Sequence, residues 1–218
     1  MGKDTLLEIS ELFYSIQGES SFAGYPCFFI RLAGCNLRCT YCDARYTYEE
    51  PGSSYSVELL LAETERYPDV LVEITGGEPL LQEGIYPLLD KLLENGRTVL
   101  LETNGSLGLE KVPEKVIKIM DVKCPDSGMH EQMDFNNFAY LSSTDEIKFV
   151  ISSRQDYDFA KETLLIHNLL GKSKLSFSPV MDRLAPYDLA KWIMDDRLPV
   201  RLQLQLHTIL WPDKKRGY

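Results

Sequence analysis

Seven short apolar runs rich in β-branched and aromatic residues, at 27–33, 70–75, 98–102, 116–122, 146–151, 175–177 and 200–206, are separated by four amphipathic stretches at 56–67, 84–94, 155–170 and 187–195. The runs read as strands and the stretches, with apolar residues recurring at helical spacing, as helices. Most of the runs read as buried on both faces. Alternation of this kind predicts an α/β fold in which helices pack on a parallel sheet. There are fewer helices than strands, and 218 residues are short for eight β/α units. The expected architecture is therefore an open, partial (β/α) barrel of mostly parallel strands. No repeat, low-complexity tract or Pro/Ser-rich linker interrupts the chain, so a single domain over 1–218 is expected.

In parallel β/α folds the chemistry gathers at the carboxyl ends of the strands. The conspicuous residues of this chain fall there. Cys35, Cys39 and Cys42 follow the run at 27–33, Thr75-Gly76-Gly77-Glu78-Pro79 ends the next, and Asn104-Gly105 follows the third. Lys123 follows the fourth, and Ser178-Pro179 the sixth.

Composition narrows the function. Acidic residues outnumber basic ones 33 to 23 for a net charge of -10, which disfavours a nucleic-acid surface and favours a small-molecule substrate. Lys214, Lys215 and Arg216 form the one basic run, read as a solvated tail. The opening Met1-Gly2-Lys3-Asp4-Thr5-Leu6 has no apolar signal-peptide stretch, and no run is long enough to span a bilayer. Five cysteines do not suggest a secreted disulfide framework. A cytoplasmic protein without nucleic-acid or membrane partners is expected.

Three thiolates within eight residues, spaced Cys-x-x-x-Cys-x-x-Cys, can hold three irons of a four-iron, four-sulfur cluster and leave the fourth without a protein ligand. An electron-transfer cluster normally has four thiolates, so a small molecule on the open iron is implied. Zinc is the rival reading, with Cys27 or Cys124 as a fourth ligand in a non-catalytic interaction module. Cys27 lies in an apolar strand and reads as packing. The Gly76-Gly77 pair reads either as a tight connection or as a place where backbone N–H groups approach a ligand carboxylate, with Glu78 accepting from an ammonium.

Cys35-x-x-x-Cys39-x-Tyr41-Cys42 followed by Thr75-Gly76-Gly77-Glu78-Pro79 resembles the radical S-adenosylmethionine superfamily. The resemblance implies that the methionyl group of S-adenosylmethionine chelates the open iron and that one-electron cleavage gives a 5'-deoxyadenosyl radical. Phe13-Tyr14-Ser15-Ile16-Gln17-Gly18-Glu19, then Gly24, Pro26, Arg31 and Gly34, are similar to the amino-terminal signature of the 7-carboxy-7-deazaguanine synthase family. Glu102-Thr103-Asn104-Gly105, Lys123 to Met129, Ser178-Pro179-Val180 and Gln205-Leu206-His207 resemble its later motifs.

The resemblance implies a lyase that contracts 6-carboxy-5,6,7,8-tetrahydropterin to 7-carboxy-7-deazaguanine with loss of ammonia, in queuosine-type synthesis. It carries Tyr41, Cys42 and Asp43 onto the adenine side of S-adenosylmethionine, Gly77 and Glu78 onto its methionyl group, and Cys124, Pro125, Asp126 and Ser178 onto its ribose. Substrate contacts fall on Ile16, Gln17, Gly18, Glu19, Arg31, Thr75, Glu102 and His207. Among these, Gln17 suits the amide-like edge of a pterin, Arg31 its carboxylate and Glu102 its guanidine-like N–H groups. Taken singly, Arg31 reads as a strand-end salt bridge, Glu102 as a surface carboxylate, and His207 as a hydrogen-bonded strand residue. A magnesium ion, a donor such as flavodoxin or ferredoxin, and a homodimer are also implied. Two positions depart from the family pattern. Ala44 stands where a hydroxyl residue holds the magnesium, leaving Thr47 or water to replace it, and Ser20 replaces a glycine. Some relatives contact substrate through their terminal carboxylate, a role not mapped onto Tyr218. Glycyl-radical enzyme activases share the cysteine triplet, but the Gln17, Arg31 and Glu102 set argues against that activity.

Overall fold

The computed structural model describes residues 5–214, 216 and 217. The opening tetrapeptide, Lys215 of the basic run and Tyr218 lie outside the described residues.

Two strands, β1 (Leu6–Ile16) and β2 (Pro26–Leu32), form an antiparallel pair. After α1 (Tyr46–Glu49), the short β3 (Ser53–Ser56) pairs antiparallel with the start of β1. The chain then alternates α2 (Val57–Glu65), β4 (Leu71–Gly76), α3 (Ile85–Glu94) and β5 (Val99–Thr103). It continues through β6 (Ile117–Lys123), β7 (Glu146–Ile151), α4 (Arg154–Ile166), β8 (Lys174–Pro179), α5 (Pro186–Asp195), β9 (Arg201–Leu202) and α6 (Leu206–Leu210). The strands form one sheet in the order β3-β1-β2-β4-β5-β6-β7-β8-β9, parallel from β2 to β9. Its end strands do not pair with each other, so the barrel is open and partial, as expected.

Strand alternation sorts side chains onto two faces. Ile30, Leu32, Val72, Ile74, Val99, Leu101, Phe149 and Phe177 face the helices, in a core shared with Leu88, Leu89 and Leu92 of α3 and Tyr157, Ala160 and Leu164 of α4. Serine caps start two of the helices: Ser56 accepts from Leu59 N, and Ser153 from Asp156 N. No α-helix follows β5 or β6; three 3-10 turns at 125–140 follow β6. The opposite face carries Phe29, Arg31, Glu73, Thr75, Glu102, Asp121, Lys123, Lys148 and Ser178 around a cavity. The strands are thus buried on both faces, but one face is polar.

Two strands exceed the sequence reading. β1 mixes polar and apolar residues and its register shifts between Ile9 and Glu11, which breaks the period-2 pattern. β3 has four residues, none of them buried. The strand expected at 200–206 shrinks to Arg201–Leu202. There Leu206 N donates to Gly18 O at 2.9 Å, pulling the chain off the sheet, and His207 lies in the helical turn α6 instead of in a strand.

That capture belongs to a larger closure. The connection between β1 and β2 crosses to the amino-terminal ends of the far strands. Ser21 N donates to Glu146, Lys174 Nζ to Ser21 Oγ at 3.0 Å, and Arg201 Nη1 to Ser20 O at 2.7 Å. Ser20 is buried with φ 59°, a glycine-like conformation, and its Oγ accepts from Phe22 N at 3.1 Å. No helix among the described residues is long and apolar enough to cross a membrane.

Candidate active site

The polar face of the sheet and the loop after β2 enclose a cavity of about 610 Å³. Its rim is held by backbone. Gly77 N donates to Leu32 O at 3.2 Å and Glu78 N to Gly34 O at 2.8 Å. A Cβ on Gly77 would lie 2.0 Å from Gly34 O and 2.8 Å from Cys35 Cβ. The glycine pair therefore lets the β4 turn press against the cysteine loop, and these two N–H groups serve that contact, not a ligand carboxylate.

Cys35, Cys39 and Cys42 are free, half-buried and open onto the cavity. Leu37 N lies 3.4 Å and Asn104 Nδ2 3.8 Å from Cys35 Sγ, the donors expected around a cluster thiolate. Burial pushes the Cys39 thiol up, and nearby Lys123 pulls it down. Burial also raises Cys42, against a hydrogen bond from Ala44 that lowers it. Cys27 and Cys124 are fully buried and do not line the cavity, so neither completes a four-thiolate zinc site there. Among the described residues no three His, Cys, Asp or Glu side chains are grouped tightly enough for one metal ion. Three free thiols on one open cavity fit a wider cluster with one iron left for another ligand.

Beneath the rim lies a charged wall. Lys148 Nζ is 2.6 Å from Glu19 Oε2, 2.6 Å from Glu102 Oε1 and 3.0 Å from Asp121 Oδ1. The Asp121 contact is an ion pair without hydrogen-bond alignment. Burial alone would lower the Lys148 ammonium, but Asp121, Glu102 and Glu19 outweigh it and hold it well above its ordinary range. Lys123 Nζ pairs with Asp121 at 2.8 Å, and Thr75 Oγ1 donates to Glu102 Oε2 at 3.0 Å. Gln17 Nε2 donates to Glu73, while Gln17 Oε1 accepts from Glu19 N at 2.8 Å. Burial, then Glu102 and Glu19, push Glu73 well above the carboxylate range.

Arg31 does not make the ordinary strand-end salt bridge. Its Nε is buried without a hydrogen-bond partner, no described carboxylate lies within ion-pair distance, and its guanidinium sits 5.5 Å from the centre of the Phe13 ring. Burial would lower it, but Tyr46, Glu11, Asp43 and Glu102 around it raise it.

The cavity gathers Ile16, Gln17, Gly18, Glu19, Arg31, Thr75, Glu102 and His207 with Tyr41, Asp43, Gly77, Ser178 and the three cysteines. A Cβ on Gly18 would meet His207 Nδ1 at 2.3 Å, which explains the glycine. Tyr41 lies near the rim, its hydroxyl 3.4 Å from Val150 O and its ring 5.4 Å from the Arg183 guanidinium.

Four expected contacts fall elsewhere, since Glu78, Cys124, Pro125 and Asp126 do not line the cavity. Glu78 is fully buried and accepts from Leu80 N at 3.0 Å, Asn104 N at 2.7 Å and Thr103 Oγ1 at 2.9 Å. Burial nonetheless raises its pKa to about 7. It ties the β4 turn to the end of β5 and is not placed to meet an ammonium. Cys124 is buried with its Sγ 3.8 Å from Val122 O. Asp126 accepts from Ser152 Oγ at 3.1 Å through its side chain and from Thr40 Oγ1 at 2.7 Å through its carbonyl. Pro125 starts the 3-10 turn 125–127. This turn braces the cysteine loop from behind.

Sequence reasoning did not single out Lys148, Glu73 or Asp121. The available signal was a lone charge inside each apolar run: Lys148 in Ile147–Ile151 and Glu73 in Leu71–Thr75.

The comparisons agree with this geometry. The model of the Radical SAM superfamily matches residues 29–172. A 7-carboxy-7-deazaguanine synthase from Chlorobaculum tepidum is 46% identical over 220 residues, covering 100% of both chains. One from Clostridium acetobutylicum is 39% identical, covering 96% of this chain and 98% of its own. The crystal structure of QueE from Escherichia coli superposes with a TM-score of 0.78 at 26% identity, covering 93% of this chain and 95% of that one. With three cluster-ready thiols over a wall of buried charge, and with relatives alike from end to end, the chain belongs to the radical S-adenosylmethionine superfamily and, within it, to the 7-carboxy-7-deazaguanine synthase family.

Proposed function

We propose that this chain converts 6-carboxy-5,6,7,8-tetrahydropterin to 7-carboxy-7-deazaguanine and ammonia. The observation that carries this reading is the half-buried guanidinium of Arg31, its Nε buried and unpaired, on the same cavity wall as the lysine-held carboxylates Glu19 and Glu102. When bound, the four-iron cluster with S-adenosylmethionine supplies one-electron carbon–sulfur cleavage and hydrogen-atom transfer. The side chains bind and orient the substrate. Arg31 receives the carboxylate as a charge-assisted pair, Glu102 and Glu19 accept from the guanidine-like N–H groups, and Gln17 reads the amide-like edge. Lys148 and Thr75 fix the two acceptors before substrate arrives, so little reorganisation is left for the reaction.

The same reading places S-adenosylmethionine along Tyr41, Asp43, Gly77 and Ser178. It includes one domain over the chain, a reducing partner such as flavodoxin or ferredoxin, and a homodimer. Its magnesium ion would lack the hydroxyl ligand usual at the position of Ala44. Thr47, the substitute for the missing hydroxyl at Ala44, lines the cavity but already donates to Ala44 O at 2.7 Å. Magnesium usually takes one or two carboxylates together with substrate and water. Activation by magnesium is expected to be weak and to strengthen in Ala44→Thr, measured by metal titration of turnover. Strong activation of the natural sequence, undiminished by Thr47→Ala, would contradict it.

The decisive experiment is anaerobic turnover of the carboxylated tetrahydropterin by reconstituted protein, with product identified by mass. Cleavage of S-adenosylmethionine without formation of a deazaguanine product would overturn the substrate assignment.

A further inference from the structure

Two half-buried groups of opposite charge face each other in this sheet without pairing. Glu11 of β1 is the direct cross-strand partner of Arg31 of β2, in a pair that also stacks Phe13 on Phe29 at 4.6 Å. Opposite charges at such positions ordinarily make a salt bridge. Here Arg31 Nε and Glu11 Oε1 are both buried and lack a hydrogen-bond partner, and no ion pair joins them. Leaving two such groups unsatisfied is costly unless something else determines where they point.

Glu11 has another partner. Its Oε2 accepts from the backbone N–H of Gly217 at 3.2 Å, bringing the carboxyl-terminal segment against the strand that faces Arg31. The segment is latched. Arg216 forms a two-pronged ion pair with Glu50, its Nη1 lying 3.0 Å from Oε2, and its guanidinium lies 4.1 Å from the centre of the Tyr46 ring. Arg216 and Gly217 both line the cavity. Tyr46 lies within hydrogen-bonding reach of the Glu11 carboxylate and within electrostatic reach of Arg31, so its hydroxyl and the tail together hold Glu11 away from Arg31.

We propose that Glu11 is a positioning residue for substrate. It is the carboxylate that would occupy Arg31 internally, and the latched tail diverts it so that Arg31 stays free for the carboxylate of the ligand. The inference rests on the proposed function for the identity of that ligand. It adds that the tail acts through Glu11, by removing an internal competitor.

The test is a four-way comparison of the natural chain, a chain ending at Trp211, Glu11→Gln, and the two changes combined. Steady-state turnover of the carboxylated tetrahydropterin is measured beside substrate-free cleavage of S-adenosylmethionine. Truncation should raise KM for the pterin about tenfold, the size of one charge-assisted contact, with a much smaller change in kcat and none in substrate-free cleavage. Glu11→Gln in the truncated chain should restore KM to within about threefold of the natural value, because an amide does not compete for a guanidinium as a carboxylate does. If Glu11→Gln misfolds, Glu11→Ala takes its place. Glu50→Gln, which releases the latch at the surface without shortening the chain, should raise KM in the same direction. An unchanged KM on truncation overturns the proposal. So does a loss that Glu11 substitution fails to rescue, since the tail would then touch substrate itself. If the natural chain makes no deazaguanine product at all, the functional reading falls and this inference with it, an outcome distinct from normal turnover by a tail that does nothing.

Discussion

The rim and the wall of the cavity are built by opposite means. At the rim, main chain positions the chemistry: the cysteine loop is held by Gly77 N to Leu32 O, Glu78 N to Gly34 O and Gly34 N to Thr47 O. The thiols themselves remain half-exposed. In the wall, side chains on rigid strands hold one another, with Lys148 pinned between carboxylates from the β1–β2 connection, β5 and β6. A rim built from backbone needs particular residues at fixed spacing, because only glycine permits such close approach and only cysteine binds the cluster. A wall built from ion pairs can be satisfied by several residue types, provided every buried charge finds a partner. The rim should therefore govern cofactor chemistry, and the wall should govern substrate recognition.

The largest separation of the two comes from Cys39→Ala. Removing one of three cluster ligands should abolish both turnover and substrate-free cleavage of S-adenosylmethionine, with iron and sulfide falling well below about four each per chain. Cys27→Ala, a packing change in β2, should keep the cluster. Full turnover by Cys39→Ala would dissolve the distinction between rim and wall. Next in size is Lys148→Met. It leaves buried Asp121 and half-buried Glu19 and Glu102 without their shared cation and should cost about 3–5 kcal/mol of stability, read by denaturant unfolding of the cluster-loaded protein. Pterin turnover should collapse while substrate-free cleavage persists in the folded fraction. Equal loss of both activities would place Lys148 in the cofactor's service.

Arg31→Lys is smaller and sharper. A point charge cannot reproduce the two-pronged contact of a guanidinium with a carboxylate, so kcat/KM for the pterin should fall on the order of 10- to 1000-fold with substrate-free cleavage retained. If lysine serves as well as arginine, the unpaired guanidinium is not the carboxylate site.

The same division decides how much was legible in the sequence. The rim was readable because its residues are punctuated: Cys35, Cys39 and Cys42, Gly76-Gly77, and Asn104-Gly105 all sit just beyond the apolar runs, where the strands do end. Even so, Glu78 sits in a conspicuous motif yet staples two strands together, and Cys124 to Asp126 brace the loop from behind. A motif marks where a residue is required, and that requirement can be structural. The wall was largely hidden. Lys148, Asp121 and Glu73 acquire meaning from the parallel register that sets Lys148 opposite Asp121 and Phe29 opposite Glu73, and register is not written in any one segment. β1 escaped for a related reason, since its shift near Glu11 breaks the alternation that identifies a strand. The 200–206 run misled because its fate depends on Gly18 O, nearly two hundred residues earlier in the chain.

The smallest expected effect lies at the floor, where the wall meets the β1–β2 connection. Ser20 holds φ 59° and would seem to invite glycine, since a left-handed conformation costs a non-glycine residue roughly 1–2 kcal/mol. Two effects oppose the change. Ser20 Oγ accepts from Phe22 N at 3.1 Å, a bond worth about 1 kcal/mol net. Glycine also adds about 0.4–1 kcal/mol of unfolded-chain entropy. Relief and loss nearly cancel, so Ser20→Gly should shift stability by less than about 1 kcal/mol in either direction. Ser20→Ala should be the more damaging change, because it keeps the strained backbone and loses the hydrogen bond. Since Ser20 O also accepts from Arg201, any loosening should reach the Lys148 cluster through Glu19 and raise KM for the pterin before it affects S-adenosylmethionine cleavage. Paired thermal melts and kinetics of the two variants decide the matter. Since both variants lose the hydroxyl, greater stability in Ser20→Ala than in Ser20→Gly would mean that the left-handed backbone at Ser20 costs less than the unfolded-chain entropy that glycine adds.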